Sequence, residues 1–124
     1  MVVDTSIILA IYFSEPHAQW ATEQLNRHLG QLRMSTVNLA EALILIRDRQ
    51  PTLADDLQNR LLNSGIRFIP PDATQAIVAA QARLRFPLNL GDCFAYALAT
   101  AEDCPILTLD ADFRAVDRPT LLPP

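Results

Sequence analysis

Met1-Val2-Val3-Asp4-Thr5-Ser6-Ile7-Ile8-Leu9-Ala10-Ile11-Tyr12-Phe13 opens the chain with the unit on which its fold turns. Val2 and Val3 are apolar and β-branched, which suits a buried, pleated strand. They stop at a carboxylate, Asp4. From Ile7 to Phe13 the apolar residues run on, and this predicts the start of a short helix. A strand that ends in an acid and passes straight into a helix is half of a strand–helix–strand crossover. The stretch is apolar enough to raise the question of a membrane segment. It carries Asp4, lacks a basic flank and is too short to span a bilayer, so a strand and a helix start are the better reading.

Working outward, the same unit recurs. Glu15-Pro16 predicts a helix start, since proline is tolerated in a first turn. That helix runs to about Leu29, and Gly30 stops it. Arg33–Thr36 reads as a second short strand. Ser35 or Thr36 can cap a helix from about Val37 to Arg49, which Pro51 ends. Another helix follows from Thr52 to Ser64, closed by Gly65. Ile66–Ile69 reads as a third strand, terminated by Pro70-Pro71. Asp72 or Thr74 caps a helix to about Phe86. Pro87–Leu90 connects it to a strongly apolar helix, Gly91–Glu102. Ile106–Leu109 reads as a fourth strand, followed by a short helix at Ala111–Ala115 and an edge strand at Thr120–Leu122. The alternation predicts an α/β fold, a parallel sheet of four or five strands flanked by helices on both faces. In open sheets of this kind ligands bind at the carboxyl ends of the strands.

The 124 residues suit a single domain over 1–124. Half of them are hydrophobic, enough for a sizeable core. The formal net charge of −4 is the wrong sign overall for a nucleic-acid partner, although a bound divalent cation reverses the potential locally. All ten basic residues are arginine and none is lysine. The guanidinium fork suits phosphate oxygens. A solvated helix face is the ordinary place for such residues. Cys93 and Cys104 form neither a CxxC pair nor a zinc spacing, and they read as reduced core thiols of a cytoplasmic protein. His17 and His28 have no ligand partner at useful spacing and read as surface residues. Phe94, Tyr96 and Phe113 read as core.

The acids carry the chemistry. Asp4 ends the first strand and Asp110 ends the fourth, after Leu107-Thr108-Leu109. Either alone could be a helix cap or a turn residue. Glu41 lies in Val37-Asn38-Leu39-Ala40-Glu41-Ala42-Leu43-Ile44-Leu45-Ile46, a helix apolar nearly all round and therefore expected to be buried. An ionised glutamate there is costly unless paired or metal-bound, or it complements the helix dipole. Asp92 opens another buried helix and is either a cap or a ligand. Together the four form a set of hard oxygen donors that suits magnesium or manganese. Metals held this way can activate water for in-line phosphoryl displacement. Asn38 shares a helix face with Glu41, one turn earlier, and could hold a water or contribute to the cap. Arg47, Arg83 and Arg85 could meet phosphate, or simply face solvent.

Met1-Val2-Val3-Asp4-Thr5-Ser6 resembles the opening of PIN-domain nucleases. Ser35-Thr36-Val37-Asn38-Leu39-Ala40-Glu41 is similar to their second motif, and Leu88-Asn89-Leu90-Gly91-Asp92-Cys93-Phe94-Ala95-Tyr96-Ala97-Leu98-Ala99 to their third. Leu107-Thr108-Leu109-Asp110-Ala111-Asp112-Phe113 resembles the fourth. Order and spacing match along essentially the whole chain, and the subgroup it resembles is the VapC-like toxins of bacterial toxin–antitoxin pairs. The resemblance implies a magnesium-dependent endoribonuclease (manganese could serve instead) acting on RNA. It implies that Asp4, Asp92 and Asp110 hold metal and that Glu41 completes the site, directly or through water. Ser6 would orient Asp4 or a water, and Thr108 would hydrogen-bond nearby. Asp112 is a second acid in the fourth motif, ranked below Asp110. A small antitoxin is the implied partner, and a homodimer is expected. Two other functions share parts of the pattern. A phospho-accepting signalling domain also binds magnesium at strand ends but relies on a lysine, which is missing here. A non-catalytic PIN-like binding module would keep the acids as structure.

Overall fold

The computed structural model describes residues 1–124. Its strands are β1 (Val2–Val3), β2 (Arg33–Ser35), β3 (Arg67–Ile69), β4 (Ile106–Leu107) and β5 (Thr120–Leu121). Its helices are α1 (Thr5–Tyr12), α2 (Ala18–Arg27), α3 (Thr36–Arg49), α4 (Ala54–Leu62), α5 (Ala73–Arg85) and α6 (Leu90–Glu102), with a short 3-10 helix at Ala111–Ala115. The five strands form one sheet in the order β3-β2-β1-β4-β5. Every pairing is parallel. The α/β expectation therefore holds, with the edge strand at Thr120–Leu121 as the fifth strand.

Strand periodicity divides the core in two. Val2 pairs with Ile106 and Val3 with Leu107. Successive side chains on a strand point to opposite faces. Val2 and Ile106 accordingly pack with Ala79 and Ala82 of α5 and with Tyr96 and Leu98 of α6. Val3 and Leu107 pack with Ile7 and Ile8 of α1, Ala42 of α3 and Leu61 of α4. All of these residues are buried, so both faces of the sheet are dry. Central parallel strands need that cover. No helix is long and apolar enough to cross a membrane.

Several boundaries move for local reasons. The fourth strand stops at Leu107 and not at Leu109. Beyond Thr108 the backbone donors turn to hydroxyls: Leu109 N donates to Ser6 Oγ and Asp110 N to Thr108 Oγ1, both at 3.0 Å. The ladder ends where side chains take over its hydrogen bonds. Pro16 sits in a turn ahead of α2, which starts only at Ala18, because Ser14 adopts a left-handed φ of 51° and bends the chain first. Ser35 and Asp72 are the caps of α3 and α5, accepting from Val37 N and Gln75 N. Helix α3 is not buried all round as its composition suggests. Asn38, Ala42 and Ile46 make a buried stripe at four-residue spacing, while Ile44 is 67% exposed. Cys93 is buried, Cys104 half-buried, and both are free. Phe113 and Tyr96 are core residues and Phe94 packs against them. His17 is exposed. His28 is half-buried, its Nδ1 2.8 Å from Gln24 O.

Candidate active site

The carboxyl ends of β1 and β4, one side of α1 and of α3 and the start of α6 meet around a crevice of about 200 Å³. Asp4, Glu41, Asp92 and Asp110 line it, with Ser6 and Asn89. Four acids spread over 107 positions of sequence (Asp4 to Asp110, inclusive) thus face one space. No arginine or histidine is among the lining residues.

Asp4 follows β1 directly and occupies the N-cap position of α1, yet its side chain makes no cap hydrogen bond. Its Oδ2 instead accepts from Ser6 Oγ at 2.8 Å and from Thr108 Oγ1 at 2.9 Å. The two hydroxyls lie 3.3 Å apart. Its Oδ1 is buried and has no partner. Burial pushes the Asp4 carboxyl above the ordinary carboxylate range; the two hydroxyl donors oppose that shift and the nearby charge of Glu41 adds to it.

Asp92 is the third residue of α6. Asn89 caps the helix by accepting from Asp92 N at 2.8 Å, and Asp92 Oδ2 accepts from Asn89 N at 3.2 Å. This reciprocal capping box starts α6 at Leu90. The cap and ligand readings of Asp92 are therefore compatible, because capping engages one oxygen only. Burial, then the charge of Asp4, raise its carboxyl to about 7, with Asp110 and Glu41 adding smaller contributions. Asp110 repeats the pattern. It caps the 3-10 helix by accepting from Asp112 N at 2.9 Å through Oδ1. In all three aspartates the protein engages one carboxylate oxygen and leaves the other.

Asn38 ties the elements together beneath the acids. It is fully buried, and its Nδ2 donates to Thr5 Oγ1 at 3.2 Å and to Gly91 O at 3.0 Å. Thr5 Oγ1 in turn donates to the Asn38 carbonyl at 3.3 Å. One amide therefore braces the starts of α1 and α6 against α3. Asn38 is a brace and does not line the crevice. Glu41 is half-buried on the crevice wall.

The remaining candidates lie outside. Asp112 is exposed and contributes its backbone N–H to Asp110. Arg47 reaches across to Asp55 at 3.0 Å and Gln58 at 2.8 Å on α4. Arg85 pairs with Asp117 at 3.0 Å, and Arg83 is exposed. None of these arginines lines the crevice. Asn89 and Thr5, which do line it, were not singled out from the sequence. The signal for Asn89 was there, an asparagine three residues before an aspartate at the head of an apolar run.

The donor set fits a hard divalent cation. Asp4 Oδ1 is a buried carboxylate oxygen without a partner, and burial holds the Asp4 and Asp92 carboxyls above their usual range; both features suit binding of a cation. No three acids converge tightly enough to enclose one ion by themselves. Magnesium is compatible with that arrangement, since it keeps several waters and takes only one or two protein carboxylates.

A family model described as PIN domain matches residues 1–119. Ribonuclease VapC42 of Mycobacterium tuberculosis is 39% identical over 126 aligned positions, covering 94% of this chain and 95% of that protein. Ribonuclease VapC of Mycolicibacterium smegmatis is 35% identical, with coverage of 94% and 96%. Among solved structures, the sarcin–ricin loop cleaving toxin VapC20 of Mycobacterium tuberculosis superposes with a TM-score of 0.84 at 18% identity, covering 98% of each chain. A toxin–antitoxin complex from Klebsiella pneumoniae gives a TM-score of 0.74 at 20% identity over 94% of this chain and 92% of that one. At such identities the structures establish the fold.

Proposed function

The chain belongs to the PIN-domain family, with VapC ribonucleases as its relatives, and from that premise we propose that it is a metal-dependent endoribonuclease, the toxin of a toxin–antitoxin pair. One observation carries the reading: a crevice lined by Asp4, Glu41, Asp92 and Asp110 and by no basic side chain. A phosphodiester is repelled from such a space unless a cation reverses its sign. The cation we assign is magnesium, with manganese as its substitute. When bound, it supplies charge to the scissile phosphate and makes water a nucleophile at neutral pH.

The chain's own residues have distinct parts. Asp4 would hold the cation through Oδ1, while Ser6 and Thr108 donate to Oδ2 and fix the rotamer. Asp92 and Asp110 each offer the oxygen that capping leaves over. Glu41 closes the side of the crevice nearest α6, as a ligand or through water. Burial holds the Asp4 and Asp92 carboxyls above their ordinary range, so protons compete with a cation at these two residues. Arg83, exposed and outside the ion pairs, is the arginine candidate for the RNA backbone. Exposed apolar side chains beside the crevice (Ile44 at 67%, Leu90 at 63%) and on α5 (Leu84 at 90%) support protein partners, an antitoxin and a second copy of this chain. We place the reaction in the cytoplasm and in one domain over residues 1–124.

The test is cleavage of a structured RNA by the purified chain with magnesium or manganese, with chelator, and by Asp4→Asn. We expect cleavage that chelator abolishes and that Asp4→Asn lowers at least about 100-fold. Cleavage that persists in chelator, or that Asp4→Asn leaves intact, overturns the assignment.

A further inference from the structure

Three glycines occur in the chain. Gly30 and Gly65 sit in turns at φ +86° and +87°, with open space where a side chain would stand. Their backbone conformation explains them. Gly91 is different. It lies in the first turn of α6 with no left-handed φ, where alanine is intrinsically the better residue.

What excludes a side chain at Gly91 is Glu41. A Cβ there would stand 2.6 Å from Glu41 Oε2 and 2.9 Å from both Oε1 and Cδ. The Glu41 carboxylate therefore occupies the volume of the absent methyl group. Asn38, one turn earlier on the same face of α3, holds the Gly91 carbonyl at 3.0 Å. Two neighbouring side chains of α3 thus grip one residue of α6, Asn38 by its carbonyl and Glu41 by its bare Cα. The hydrogen bonds that fix the other acids have no counterpart at Glu41. Asp4 receives two hydroxyls and Asp92 a backbone N–H, whereas the Glu41 carboxylate stands over the bare Cα of Gly91 without a hydrogen bond from the protein.

We propose that Gly91 is a positioning residue for Glu41: its missing side chain is the seat that holds the Glu41 carboxylate at the wall of the crevice, and filling the seat moves the carboxylate away from the bound cation. This rests on the metal-site reading given above. The atoms that a methyl group would strike are the far end of a flexible side chain, so alanine displaces the carboxylate and leaves the backbone where it is. Fold and site are thereby separable at this position.

The experiment uses the whole chain as wild type, Gly91→Ala, Glu41→Gln and the double variant. Manganese binding is measured by calorimetry, and melting temperature with chelator and with manganese. We expect Gly91→Ala to melt no lower than wild type in chelator and to bind manganese about 10–100-fold more weakly. The double variant should bind no more weakly than Glu41→Gln alone, because the glycine acts through the glutamate. Wild-type manganese affinity in Gly91→Ala overturns the proposal, and so do losses that add in the double variant. A Gly91→Ala chain that melts well below wild type in chelator also overturns it, by showing that the backbone gave way. Wild type that neither binds manganese nor cleaves RNA overturns the metal-site reading itself and this proposal with it. Wild type that binds manganese and is weakened by Glu41→Gln but not by Gly91→Ala overturns this proposal only.

Discussion

Two groups of acids in this molecule have opposite surroundings. At the outer flank of α5 and α6, Asp117 accepts from Tyr96 Oη at 2.6 Å and from Arg85 Nη2 at 3.0 Å. The tyrosine hydroxyl, with the guanidinium beside it, holds the Asp117 carboxyl below its ordinary range. At the crevice, Asp4 and Asp92 meet no cationic side chain, and burial holds both above it. Where an acid serves the structure, the fold provides a donor and a counter-charge. Where the counter-charge is absent and the burial cost is still borne, the site is arranged for a cation from outside. The difference is legible in direction alone, one carboxyl down and two up.

The comparison can be broken most sharply at Thr108. This residue is fully buried, donates to Asp4 Oδ2 at 2.9 Å and accepts from Asp110 N at 3.0 Å, so it touches two of the acids. Thr108→Val keeps the shape and removes the hydroxyl. We expect manganese affinity and RNA cleavage to fall about 10–100-fold, and Thr108→Ser to restore most of both. Calorimetry decides the matter: unchanged manganese affinity in Thr108→Val would show that the hydroxyl is packing only.

A smaller effect follows from pH. On the proposed metal reading the cation takes Asp92 ionised, and its carboxyl is raised to about 7, so protons should compete with manganese below neutrality. Affinity should drop about tenfold for each pH unit below 7. Stability in chelator should move the other way. A carboxyl raised in the folded state favours folding at low pH, and that contribution is lost as pH rises through about 7. The chelated chain should therefore melt higher at pH 5.5 than at pH 8. Asp92→Asn should flatten that slope. A chelated wild type with no slope between these pH values contradicts the raised Asp92 carboxyl.

The smallest effect belongs to the satisfied acid. Tyr96→Phe removes the hydroxyl that Asp117 accepts from, at a partly exposed site. It should cost about 1 kcal/mol in denaturant titration and leave manganese affinity and cleavage at wild-type values. A loss of cleavage there would mean that the two acid groups are coupled through α6.

Much of this is legible in the sequence. The alternation of short β-branched runs with longer apolar segments specified a parallel α/β sheet, because only such a sheet hides both faces of strands like Val2–Val3. The four acids were readable too, each at the end of an apolar strand or in an apolar helix. The capping box at Asn89 and Asp92 was equally present in the spacing, although the segment read as a simple connector. The end of β4 was not readable. Ile106–Leu109 is uniformly strand-like, and the ladder stops early because hydroxyls more than a hundred positions away in sequence, or next to it, capture its donors. The arginines divided in the same way. Arg47, Arg83 and Arg85 looked alike in sequence, and only the fold gave Arg47 and Arg85 carboxylate partners away from the crevice.

The sequence by itself determined the order of the secondary elements and the class of sheet, and it marked the four acids that line the crevice, since periodicity and residue chemistry are local properties. The tertiary structure decided which oxygen of each acid is engaged and which is left over. It also decided that Asn38 braces three helices where the sequence left a water site or a cap open, and that the bare Cα of Gly91 faces Glu41. Those facts depend on distances between residues such as Ser6 and Thr108, or Glu41 and Gly91, that no spacing along the chain encodes.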